Sequence, residues 1–160
     1  MSTKDAPIRA PAAIAGAAPH LLVIQAPYYA DVVGGMLAGA LRVLEAVGAT
    51  HELADVAGAF ELPAALRMAM FADTPWDGFI LLGCVVKGET DHYDFICDAV
   101  CHGAMAVAAE TGVPLGFGLL TVAALDQAVA RSRDDGANKG AETAHAVLGQ
   151  IALARRWSPA

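Results

Sequence analysis

Residues 83–95 read GCVVKGETDHYDF and gather Lys87, Glu89, Thr90, Asp91 and His92 between an apolar run and the start of a helical pattern. Gly88, Glu89 and Thr90 precede that helix, where unpaired N–H groups and the helix dipole favour an anion such as phosphate. Thr90 or Asp91 also suits the role of a simple helix cap. Glu89 opposes an anion unless its side chain turns away. His92 carries the one side chain whose ordinary pKa lies near neutrality, so proton transfer is the chemistry it offers, with a solvated surface histidine as the plainer reading.

Four further groups have types suited to a ligand. Tyr28 and Phe60 would stack on a planar ring, although aromatic residues at strand ends often serve the core. Glu61 would accept from hydroxyl or amide donors, or face water. Arg131 and Lys139 bracket the polar turn RSRDDGANKG. An arginine there suits two-point phosphate recognition, or is solvated at a helix end.

The elements that must position these residues follow from pattern. Apolar runs at 21–25, 51–56, 78–85 and 114–120 predict strands. The stretch 31–47 carries Val33, Met36, Leu37, Ala40, Leu41 and Leu44 at helical spacing, and Gly48 stops it. Pro63 opens a helix to about residue 72. Further helices are expected from Thr90 or Asp91 to Gly112, over 123–133, and over 139–156. Strands alternating with helices predict an α/β fold with a four-stranded parallel sheet covered on both faces. In such folds ligands bind beyond the carboxyl ends of the strands, where Tyr28, Phe60, Glu61 and the 83–95 stretch fall, while folding or oligomerisation must bring Arg131 and Lys139 to them.

Composition sets the bounds. At 160 residues the chain is one domain, expected over 20–157, with an Ala- and Pro-rich flexible tail over 1–19. A net charge of -7 with scattered Lys and Arg argues against nucleic acid. Hydrophobic residues reach 56% against 17% charged, and mean hydropathy is +0.48. Membrane spanning needs about 20 apolar residues in a row. The longest uncharged run, 11–30, is broken by Pro19, His20, Gln25 and Pro27. The apolar excess therefore predicts self-association. The tail lacks the leucine-rich centre of an export signal. Cys84, Cys97 and Cys101 form no closed disulfide set and fit a reducing cytoplasm; Cys97 and Cys101, near His92 and His102, lack a fourth metal ligand at standard spacing, so no metal is expected.

The succession GAFELP, LGCVVKGETDHYDF, GFGLLT and ANKGAETA, in this order and spacing, resembles the lumazine synthases of riboflavin biosynthesis over about residues 21–153. The resemblance implies a flavodoxin-like three-layer αβα sandwich and condensation of 5-amino-6-(D-ribitylamino)uracil with 3,4-dihydroxy-2-butanone 4-phosphate. The product is 6,7-dimethyl-8-ribityllumazine, formed without cofactor. It implies a homopentamer with active sites between adjacent subunits; some members assemble further into a 60-subunit icosahedral shell. By the same resemblance, Tyr28 stacks on the pyrimidine, Ala59, Phe60 and Glu61 hold the ribityl chain, and Val85 and Val86 line the ring pocket. Gly88, Glu89 and Thr90 bind phosphate, His92 moves protons, and Phe117, Arg131 and Lys139 come from the neighbouring chain, Arg131 as phosphate ligand. Tyr28 replaces a more frequent phenylalanine or tryptophan, Tyr29 an asparagine, Ala57 a proline and Lys87 an arginine. The rival readings are a homologue that keeps the shell-forming fold without catalysis and a flavin-binding module.

Overall fold

In the computed structural model, which describes residues 13–157, strands β1 (His20–Gln25), β2 (Thr50–Asp55), β3 (Gly78–Val86) and β4 (Leu115–Val122) form one all-parallel sheet in the order β2-β1-β3-β4. Residues alternate between the two faces of a strand, and here both faces are covered. Along β1, Leu21 and Val23 enter one core while Leu22 and Ile24 enter the other. Helices α1 (Ala30–Ala46) and α5 (Lys139–Trp157) cover the first core with Val33, Met36, Leu44, Val147, Leu148 and Ile151. Helices α2 (Leu62–Ala69) and α3 (His92–Thr111) cover the second with Leu62, Leu66, Val100 and Ala104. This is the three-layer αβα arrangement. The short α4 (Leu125–Val129) follows β4.

The central strand β3 explains why a continuous apolar run was needed. Ile80, Leu81 and Leu82 are all fully buried between two helical layers. Truncating Leu82 to alanine would cost about 2–5 kcal/mol through lost burial and the cavity left behind.

Two elements differ from the sequence expectation. The fourth helix is only five residues long rather than spanning 123–133, because the chain turns from Ala130 into a series of tight turns up to Asn138. Strand β2 is mostly exposed, since it lies at the sheet edge and pairs only with β1. Ala54 packs on the second core, and polar side chains join the strand to β1: His20 Nδ1 with Thr50 Oγ1 at 2.8 Å, His20 Nε2 with Glu52 at 3.1 Å, and Gln25 Nε2 donating to Asp55 at 2.9 Å.

Residues 1–12 of the expected tail lie outside the described residues. The stretch after them is tied down: Ile14 packs on the first core, and Arg155 donates to the carbonyls of Ala15 (2.8 Å) and Ala17 (2.6 Å) while pairing with Asp77 at 2.8 Å. No helix among the described residues is long and apolar enough to cross a membrane. The apolar excess of the composition reappears on the surface, notably on α3, where Phe95 and Met105 are exposed and only Val100 and Ala104 are buried.

Candidate active site

Strand order reverses direction between β1 and β3, and in a doubly wound sheet the crevice at that point is where ligands bind. The loops leaving the carboxyl ends of β1, β2 and β3 meet this edge. After β1, the amide of Ala26 donates to the Leu82 carbonyl at 2.9 Å, and a single 3-10 turn, Pro27–Tyr29, follows. Pro27 suits the turn because its φ is preset and it has no N–H to satisfy. Tyr29 folds back on the core while Tyr28 is 77% exposed, its ring meeting Tyr29 edge-on at 5.2 Å. After β2, Val56 N donates to the Gln25 carbonyl at 2.9 Å, and a second 3-10 turn, Ala59–Glu61, presents Phe60 at 57% exposure beside an exposed Glu61. Neither aromatic ring is a core residue here.

After β3, Val85 and Val86 are half-buried and Lys87 N donates to the Val122 carbonyl at 2.9 Å. From Gly88 to His92 every residue is exposed. Among the described residues, the backbone N–H groups of Gly88, Glu89 and Thr90 find no protein acceptor. The expected side-chain cap is not made. Asp91 occupies the cap position with φ -67 and ψ -4, a helical conformation rather than the extended one a capping residue adopts. Tyr93, in the first turn of α3, interacts with Thr121 of β4. Burial raises the Tyr93 phenol above its ordinary pKa, a hydrogen bond with Thr121 works against that rise, and Lys87 Nζ lies 5.7 Å from the ring centre.

Strand β4 ends the sheet, and its outer edge borders an open cavity of about 370 Å³ lined by Phe117, Leu119, Thr121, Arg131, Lys139 and Glu142 among others. Arg131 donates from Nη1 to the Gln127 carbonyl at 2.8 Å, and Lys139 forms an ion pair with Glu142 one turn along α5. Glu142 is a residue that motif reading passed over; its spacing of three from Lys139 on one helix was the available signal.

The residues expected at the site thus fall into two sets. Phe117, Arg131 and Lys139 share the β4 cavity. Tyr28, Ala59, Phe60, Glu61, Val85, Val86, Gly88, Glu89, Thr90 and His92 stand at the ends of β1, β2 and β3, and none lines that cavity. Among the described residues no three of His, Cys, Asp and Glu come close enough to hold a metal ion. Burial pushes the Cys84 thiol up to about 11 and also raises Cys97 and Cys101, so all three remain protonated near neutrality.

Comparison with known proteins bears on this division. The family model for 6,7-dimethyl-8-ribityllumazine synthase matches residues 18–155. The chain belongs to that family. Among lumazine synthases it is 40% identical to that of Methylorubrum extorquens strain PA1 over 156 residues, covering 95% of this chain and 89% of the relative. It is 41% identical to the Agrobacterium fabrum lumazine synthase over 142 residues, covering 86% and 96%. It is 36% identical to 6,7-dimethyl-8-ribityllumazine synthase 1 of Rhodopseudomonas palustris over 161 residues, covering 98% of each. The lumazine synthase match begins before β1 and ends inside α5, so it takes in every loop described above.

Proposed function

We propose that this chain condenses 5-amino-6-(D-ribitylamino)uracil with 3,4-dihydroxy-2-butanone 4-phosphate to give 6,7-dimethyl-8-ribityllumazine, phosphate and water, in a pocket shared by two copies. The observation that carries this reading is the division of the family's site residues: the aromatic and amide-bearing loops stand in one set, and the cations with Phe117 stand in another on a cavity of their own. Two half-sites on one chain are completed when the cavity of one copy faces the loops of the next.

In that pocket Tyr28 stacks on the pyrimidine, Val85 and Val86 bound its edge, and Ala59, Phe60 and Glu61 take the ribityl chain. The free amides of Gly88, Glu89 and Thr90, at the start of α3, and the Arg131 guanidinium of the neighbouring copy hold the phosphate. That arginine offsets the charge of Glu89. The ring amine attacks the ketone carbonyl and water leaves as the imine forms. Phosphate is then eliminated, and the ribityl-bearing amine closes on the resulting carbonyl with loss of a second water. His92 accepts and returns protons as these bonds change. Orientation of two small reactants supplies about 7–11 kcal/mol of barrier reduction. Proton transfer adds about 10²- to 10⁴-fold. Positioning is therefore the larger contribution.

The exposed Phe95 and Met105 give α3 an apolar surface for a second copy, and the assembly is a homopentamer in the cytoplasm. The Arg131–Lys139 turn, which has no insertion, is the feature shared with members that build a 60-subunit shell. Mass measurement in solution distinguishes pentamer from shell. The decisive activity test is mixing both substrates with purified protein and following the absorbance of the lumazine. Its absence in assembled protein would favour a shell-forming homologue without catalysis.

A further inference from the structure

We infer that Asn138 is a positioning residue that sets the placement of Arg131 and Lys139; this rests on the reading of those two cations as part of the substrate pocket. The two residues are eight apart in sequence yet directly joined, since Lys139 N donates to the Arg131 carbonyl at 2.8 Å. The chain between them is a loop whose closure depends on one side chain. Asn138 is 3% exposed. Its Nδ2 donates to the carbonyls of Gly35 (3.0 Å), Ser132 (3.1 Å) and Arg133 (2.9 Å), and its Oδ1 accepts from Ala141 N at 3.0 Å. An asparagine amide has two N–H bonds for these three carbonyls, so one is shared.

The Gly35 carbonyl belongs to α1, so Asn138 fastens the loop carrying the cations to the helix that covers the first core. The seat is tight. A Cβ at Gly39 would overlap the Asn138 amide, and a Cβ at Gly140 would overlap the Met36 carbonyl. The loop therefore rests on the backbone of α1 rather than on flexible side chains. The Asn138 side chain bonds only backbone groups, not the Arg131 guanidinium or the Lys139 ammonium, so it acts through backbone that both share. The exposed ion pair of Arg42 with Asp134 adds a second link to α1, of the kind that contributes little.

The plainer role for Asn138 is to cap α5 through its bond from Ala141 N. Aspartate separates the two roles. It keeps the accepting oxygen, and its charge suits a helix N-terminus. It has nothing to donate, and it would aim an oxygen at three carbonyl oxygens.

The test uses steady-state kinetics and thermal melts of the full-length protein with Asn138→Asp, Asn138→Ser, Arg131→Ala and the Asn138→Ser/Arg131→Ala double variant. Serine keeps a capping oxygen at smaller volume and reads the outcome should the aspartate variant not fold. We expect either Asn138 substitution to raise KM for the phosphorylated ketone about tenfold and KM for the pyrimidine less than about twofold, as loss of one well-placed charged contact would. In the Arg131→Ala background the serine change should add clearly less than about tenfold, because the share of its effect that passes through Arg131 is already removed and only the share through Lys139 remains. Wild-type kinetics for Asn138→Asp, an equal rise in both KM values, or an undiminished effect in the double variant would each overturn the inference while leaving the pocket assignment intact. An unchanged KM for the phosphorylated ketone in Arg131→Ala alone would instead remove the pocket assignment, and this inference with it.

Discussion

The turn that joins Arg131 to Lys139 and the loop from Gly88 to His92 are both polar, both glycine-containing and both assigned to the phosphate, yet they are built in opposite ways. The first is braced by a buried asparagine that reaches four backbone groups and by a helix backbone it cannot move away from. The second is exposed throughout and leaves the amides of Gly88, Glu89 and Thr90 without protein partners among the described residues. The contrast follows from what each contributes. Long cationic side chains lose much rotamer freedom on binding, so a fixed base limits how much more must be ordered. Backbone amides at a helix start already point one way, and an anion can complete their hydrogen bonds without any further scaffold.

The largest test of this contrast is Arg131→Ala. We expect kcat/KM for the phosphorylated ketone to fall about 10³-fold, comparable to removing a preorganised electrostatic donor. His92→Ala should reduce kcat by about 10²-fold without abolishing turnover, since proton transfer is the smaller contribution. Steady-state kinetics of the two variants would reverse this weighting if His92 proved the more damaging loss. Stability separates the two segments next. Gly140→Ala forces a Cβ against the Met36 carbonyl and should cost about 1–3 kcal/mol in denaturant unfolding. Gly88→Ala meets nothing within 4 Å and should stay within about 0.5 kcal/mol. Equal costs would erase the distinction between a braced turn and an open loop.

The smallest expected effect concerns pH. Burial holds the Cys84 thiol at about 11 against an ordinary 9.0, so the folded state keeps a proton that the unfolded chain gives up first. Its contribution is intact below pH 9.0 and fades as pH rises through about 11. Melting temperature followed across that range, in wild type and Cys84→Ala, isolates the slope. Cys84 should also resist a thiol reagent at pH 8 until the protein unfolds.

Much of this could be read before any coordinates. The alternation of apolar runs and helical stripes located all four strands within two residues at each end, and α1, α3 and α5 almost as closely. Periodicity carries that information because a strand buried on both faces must be apolar throughout. Strand β2 reads differently: His51, Glu52 and Asp55 fit poorly with a central position, and an edge position with polar partners across β1 accounts for them. The helix expected over 123–133 is only Leu125–Val129: Asp, Gly and Asn after it signal turns, but nothing local sets how early the helix must stop.

The site divides along the same line. Residue types and order, read through the family resemblance, nominated the side chains for the proposed chemistry. Only the folded chain decided that Phe117, Arg131 and Lys139 face their own cavity, that Thr90 and Asp91 leave their helix uncapped, and that Asn138 reaches across 103 positions to Gly35. Those outcomes depend on how segments far apart in the chain pack. Local sequence records what a side chain offers; packing alone settles which partners it meets.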